Sequence, residues 1–404
     1  MKNLLYLFII FFFIACGGAS KQVTKELNIE EQSFLDNKPQ ELKKSFLKLL
    51  QEDKRNEVLN FEKIALDAYQ LNYYDISRQY FDKALDNIES VYSNEENAIK
   101  ARSLWYEEGK KDYKGEPYER VMAFFYRGLL YMQKEDFENA RASFKGGILQ
   151  DAFAEEDKNQ CDFNLVILME AIASKFNGDQ DLYEETIKNV KLLNPNLVIP
   201  QNYNTVVLIE TGNSPRKVSD GIGHYQLKFR RGKKFKEQLV NLSLDEKSHK
   251  VQVLEDIYWQ STTRGGRYFD HLLKGKAQFK QVSAELAENM ATFSTASTLI
   301  NTGIGSDTLG SIGAGLGIVS GLALISSTNA DARADTRYWN NLPDKVHVAF
   351  LNLPQGKHNI KLEFLGKDKN ILDNLTQTKV IDVNSDNNFY VFSSRKRISH
   401  VYKK

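Results

Sequence analysis

Apolar residues recur at spacings of three and four from residue 31 to residue 200, and proline is sparse along the stretch. That spacing returns apolar side chains to one side of a helix, so the segment reads as a succession of amphipathic helices. After Pro200 the rhythm changes. Thr205-Val206-Val207-Leu208-Ile209-Glu210 is a short apolar run broken by Thr211-Gly212-Asn213-Ser214-Pro215, the mark of a buried strand followed by a turn. Further strands are expected over 225–229, 346–353, 359–365, 379–383 and 389–392. Alternation is clearest in 347–351 and 360–364, which Pro354-Gln355-Gly356-Lys357 is expected to join as an antiparallel hairpin. The pattern predicts an α+β chain, helical first and then a small antiparallel β domain that closes across a helical, glycine-rich insertion.

Three helical segments resemble tetratricopeptide pairs, in which large and small residues interlock between two helices over a period of about 34 residues. The first is Phe61, Ile64 and Ala65 with Tyr74, Ser77, Phe81 and Ala84. The second is Phe124, Gly128 and Tyr131 with Phe137, Ala140, Phe144 and Gly147. The third is Ile167 and Ala171 with Tyr183, Ile187 and Val190, closed by Leu193-Asn194-Pro195. Their spacing is not a strict tandem, so 91–118 is expected to hold an irregular insert. Trp105, Tyr106, Tyr113 and Tyr118 in that insert, with Tyr131, are the candidate partner-binding aromatics of an α-solenoid face; core packing is the competing and favoured reading.

The run 300–327 contains Gly303, Gly305, Gly310, Gly313, Gly315, Gly317 and Gly321. Gly313, Gly317 and Gly321 repeat every four residues and would form a bare packing face on a helix. Either the segment packs as an internal hairpin against a helix over 268–290, or it enters a membrane or self-associates. Its apolar length only just reaches the lower limit of about 17 residues for a span, which favours internal packing. A phosphate loop is excluded, because 303–308 has neither the Lys-Ser/Thr pair nor the last glycine of a dinucleotide fingerprint.

The first residues change the picture of where such a chain resides. Lys2 precedes an apolar run over 4–14, the shape of a signal peptide. Phe13-Ile14-Ala15-Cys16 resembles the bacterial lipobox, with Cys16 as the lipidated residue carrying diacylglycerol and palmitate, and Gly17-Gly18-Ala19-Ser20 as tether. The expected divisions are signal peptide 1–15, lipidated N-terminus and linker 16–30, helical domain 31–200, first part of the β domain 201–260, insertion 261–330 and the rest of the β domain 331–404.

Composition gives a globular body, 42% hydrophobic and 11% aromatic, and a net charge of +1 disfavours nucleic acid as partner. With Cys16 lipidated, Cys161 has no disulfide partner in the chain and reads as a free, partly buried thiol. His224, His249, His271, His347, His358 and His400 show no metal-ligand spacing, so no metal and no cofactor are expected. The stretch 261–267 reads as a polar loop without a nucleophile elbow, and 230–236 as a basic, solvated hairpin tip. Trp339, beside Asp335 and Arg337, is expected to bury its ring at the start of a strand.

Three segments carry a wider resemblance: Tyr113-Lys114-Gly115-Glu116-Pro117-Tyr118-Glu119-Arg120-Val121-Met122, the strand at 205–212 with Ser214-Pro215-Arg216-Lys217, and Ala334-Asp335-Thr336-Arg337-Tyr338-Trp339-Asn340-Asn341-Leu342-Pro343. In this order they resemble a family of uncharacterised bacterial lipoproteins with tetratricopeptide-like helices. The resemblance implies an envelope protein and supplies no catalytic residue. The expectation is a lipid-anchored scaffold or adaptor, outer-membrane and facing the periplasm, that binds envelope protein partners without catalysis. The alternative is a membrane-active or homo-oligomeric component that uses 300–327.

Overall fold

The computed structural model describes residues 25–89, 112–151, 161–220, 226–264, 335–383 and 387–395. Its first part is helical: α1 Ile29–Asp36, α2 Lys43–Gln51, α3 Glu57–Gln70, α4 Tyr74–Glu89, α5 Pro117–Met132, α6 Phe137–Asp151, α7 Asn164–Phe176 and α8 Gln180–Leu193. Helices α3/α4, α5/α6 and α7/α8 form three hairpins with short connections. Each connection reverses the chain through a residue at positive φ, Asn72, Glu135 and Gly178 respectively. Helix α5 starts where Pro117, which needs no amide partner, takes the first helical position. The α5/α6 contact is close because Gly128 faces the Phe144 ring; a Cβ there would overlap it.

The strands are β1 Thr205–Thr211, β2 Arg216–Asp220, β3 Gln226–Arg230, β4 Leu239–Leu244, β5 Lys247–His249, β6 Gln252–Asp256, β7 Lys345–Leu351, β8 Gly356–Leu365, β9 Gln377–Val383 and β10 Asn388–Ser393, with helix α9 Ile257–Arg264 after β6. They build two four-stranded sheets, ordered β10-β1-β7-β6 and β5-β4-β8-β9, and a separate β2-β3 hairpin. The molecule is α+β, in three layers. Val207, Ile209, Ala349 and Leu351 of the first sheet pack on Leu242, Ile360, Leu362 and Phe364 of the second. Val206, Leu208, Val346 and Val348, on the opposite face of the first sheet, belong to the same apolar cluster as the helices. With both faces covered, β1 is buried along its whole length, which is why it reads as a continuous apolar run.

Two expectations about the sheets are corrected. The β domain is not purely antiparallel, because β10 pairs parallel to β1. The segments 347–351 and 360–364 are not a hairpin either: β7 pairs with β1 and β6, whereas β8 pairs with β4 and β9. The chain changes layer between them. Asn204 fixes the departure from β7, its Oδ1 accepting from Leu353 N (2.9 Å) and its Nδ2 donating to Leu353 O (2.6 Å).

Candidate functional site

Residues 335–344 run as a strap into β7, between the helices and the turn after β1. Arg337 pairs with Asp335 (2.8 Å) and donates to Asn56 Oδ1 (2.9 Å) and to Arg55 O (3.2 Å). Trp339 is fully buried against Phe81 and Tyr126, as expected of its ring, and its carbonyl accepts from Ser214 Oγ at 2.7 Å. Asn341 Nδ2 donates to Asp67 Oδ1 (2.8 Å) and Lys63 O (3.1 Å). These bonds fasten the strap to α3 and its preceding turn.

A buried polar cluster lies behind the strap. Glu119 in the first turn of α5 accepts from Trp339 N through Oε1 (2.6 Å) and from Glu116 N through Oε2 (2.7 Å). Glu116 forms an ion pair with the buried Lys217 of β2. Burial disfavours the Lys217 charge, yet Glu116, Asp335 and Glu119 outweigh it and hold the ammonium above its usual range. Glu62 of α3 is fully buried and neither of its carboxyl oxygens has a hydrogen-bond partner. Burial, then the neighbouring Glu119, pushes its proton affinity well up, which favours the neutral acid. Beside this cluster, Glu210 of β1 accepts from Tyr126 OH (2.5 Å) and pairs with Arg395 (2.5 Å), while Arg395 also donates to Asn341 O. The arrangement can hold protons and join layers.

Two of the candidate aromatics fit the favoured core-packing reading. Tyr113 and Tyr118 are 2% and 0% exposed, packed in the interior near Glu119. Tyr131 is half-buried under the Arg127 guanidinium, 3.8 Å from its ring centre. Trp105, Tyr106, Cys16, Gly313, Gly317 and Gly321 lie outside the described residues.

The surface instead offers a groove between α6, α7 and α8, about 420 Å³ in volume, lined by Ile148, Ile167, Thr186, Asn189, Leu192 and Leu193 with the Lys145–Glu170 pair (3.4 Å) and Cys161 at its margin. Leu192 is 77% exposed and Leu193 42%. Cys161 is an exposed free thiol, not a partly buried one, and occupies a positive-φ turn just before α7. Two further readings change. Residues 261–264 belong to α9 and not to a loop. Arg231 is not part of a solvated tip: it folds back onto Asp344 and Asp256 (2.8 Å to the latter). His347 is buried beside Thr211 Oγ1 (2.9 Å), and burial pushes its proton affinity down to about 4. Among the described residues no group of three or more His, Cys, Asp and Glu side chains is placed to hold a metal, and no helix is long and apolar enough to cross a membrane.

Sequence reasoning missed Glu62, Glu119 and Lys217. A local signal existed for Glu119 alone, since Glu116-Pro117-Tyr118-Glu119 has the spacing of a helix start whose third residue folds back on the cap. Comparison of the chain with protein-family models, curated proteins and solved structures finds no significant match in any of the three.

Proposed function

We propose that the chain is a lipid-anchored scaffold or adaptor of the bacterial cell envelope, held at the outer membrane by Cys16 and facing the periplasm, which binds protein partners through its helical hairpins and catalyses no reaction. The groove of α6, α7 and α8 is the observation that carries this reading. It leaves Leu192 and Leu193 open to solvent at the last of three successive hairpins, where a tetratricopeptide-like stack would accept one more helix or peptide. The lipobox-like Phe13-Ile14-Ala15-Cys16 supports the anchor.

Affinity capture from native membranes tests the reading with the wild type and with Leu192→Glu. The exposure of Leu192 makes the variant fold normally, with a stability change within about 0.5 kcal/mol. Loss of a specific partner in the variant is expected; equal capture by both chains refutes groove binding. In parallel, Cys16→Ala is expected to release a folded chain from the membrane, and retention after carbonate washing refutes the lipid as sole anchor.

A further inference from the structure

We propose that Lys38 and Lys83 form a docking site for the phosphate of an anionic phospholipid headgroup, seated on a floor of aromatic rings in the first helices of the chain. The source of that phosphate rests on the Cys16 anchor of the proposed function, and the site is independent of the groove. Four rings from four helices make the floor. Phe34 of α1 meets Phe46 of α2 with ring centres 5.8 Å apart, Phe46 meets Tyr80 of α4 at 5.3 Å, and Tyr80 meets Phe61 of α3 at 5.6 Å. Phe46, Tyr80 and Phe61 are buried, so the packing of these helices fixes the floor in place. Lys38, in the connection from α1 to α2, sets its Nζ 4.1 Å from the ring centre of Phe34 and 5.1 Å from that of Phe46. Lys83 of α4 sets its Nζ 4.9 Å from Tyr80 and 5.7 Å from Phe61.

The acids closest in sequence to the two lysines are engaged elsewhere. Asp36 pairs with Lys43 (3.6 Å), Asp82 pairs with Arg127 (2.6 Å), and Glu41 accepts from Tyr73 OH (3.2 Å). Among the described residues no carboxylate forms an ion pair with Lys38 or Lys83. A ring face attracts an ammonium without neutralising it. Burial lowers the proton affinity of Lys38, and the like charge of Lys83 lowers it further. An anion between the two ammonium groups removes that repulsion, and a phosphodiester offers one oxygen to each.

The place of the site in the chain selects a lipid as the carrier of the phosphate. Cys16 precedes Lys25 by nine residues, so covalent geometry limits the distance from the anchored cysteine to the first described residue to about 30 Å. Helix α1, which carries Phe34, opens with Ile29, 90% exposed, an apolar side chain that suits the interfacial layer of a bilayer.

Lysine footprinting of the full chain in neutral detergent, with an amine-reactive ester and mass spectrometry, tests this. Dihexanoyl phosphatidylglycerol is expected to slow the labelling of Lys38 and Lys83 and to leave Lys357, exposed on the second sheet, unchanged. Dihexanoyl phosphatidylcholine, whose headgroup has no net charge, is expected to protect neither. Lys83 is exposed, so Lys83→Gln keeps the fold, and in that variant about fivefold more phosphatidylglycerol is needed to protect Lys38. Lys38→Gln does the same to the protection of Lys83. Added lipid reaches the detergent-held chain whether or not Cys16 is lipidated, and release of Cys16→Ala from membranes tests the anchor separately. Absent protection, equal protection by both lipids, or unchanged protection in both variants overturns the proposal. So does protection by inorganic phosphate or by a short polyglutamate peptide at concentrations as low as those of phosphatidylglycerol.

Discussion

Glu119 accepts the backbone N–H of Trp339 at 2.6 Å, a bond that joins the start of α5 to a strap 220 residues away. Its other oxygen accepts from Glu116 N, so one buried carboxyl satisfies two amides. Glu119→Ala leaves both unpaired in the interior. A loss of about 2–4 kcal/mol is expected in urea unfolding; a loss below about 1 kcal/mol would mean that the strap does not depend on this residue.

Glu62 has the opposite expectation. Its carboxyl is buried without a hydrogen-bond partner, and its proton affinity is raised by burial and by Glu119. The folded chain holds that proton more tightly than the unfolded one, so the contribution present below pH 4.5 is lost as pH rises. Glu62→Met is expected to stabilise the protein by about 1–3 kcal/mol at about pH 8 and by less at about pH 5. Melting curves at the two values check the sign, and a variant destabilised at the higher pH refutes the raised proton affinity of Glu62.

His347 shapes the acid side of the profile. Buried on β7, it is protonated near pH 4 when folded and near 6.5 when unfolded. Stability present above 6.5 is thus lost as pH falls toward 4. His347→Gln is expected to lessen the drop in urea midpoint between about pH 7 and about pH 4.5. An equal drop in variant and wild type contradicts this.

The hairpin packing rests on a missing side chain. A Cβ on Gly128 would overlap the Phe144 ring, so the ring or the helix must shift. Gly128→Ala is expected to cost about 1–3 kcal/mol despite alanine's better helix propensity. A more stable variant by calorimetry would show that α5 and α6 are not in close contact.

The elements that form on local rules are the legible ones. Helices α3 to α8 follow from the three-and-four spacing of residues such as Phe61, Ile64 and Ala65, and β8 from its alternation. The split of β7 and β8 into different sheets is not legible, since both strands alternate and only the burial of both faces of β7 sets it apart. Strand β4 escapes notice although Val240, Leu242 and Leu244 alternate with Leu239, Asn241 and Ser243, because the charged 230–236 before it draws the stretch toward a loop. Tyr113 and Tyr118 are buried as core packing requires, and Glu116 and Glu119 beside them are buried too, which the polarity of those two residues hides in the sequence. The polar cluster behind the strap is illegible because Glu62, Glu119, Lys217 and Trp339 meet only in the folded chain.

Partner binding at the groove of α6, α7 and α8 is open to direct test. Photo-crosslinking in native membranes tests it most directly, with the crosslinker placed at the exposed Asn189 in the groove or, as control, at the exposed Asn241 on the outer sheet. A discrete crosslinked protein is predicted from position 189, absent from 241 and absent when Leu193→Glu is added. Identical products from both positions, or none from 189 in membranes that hold the full-length chain, would contradict it.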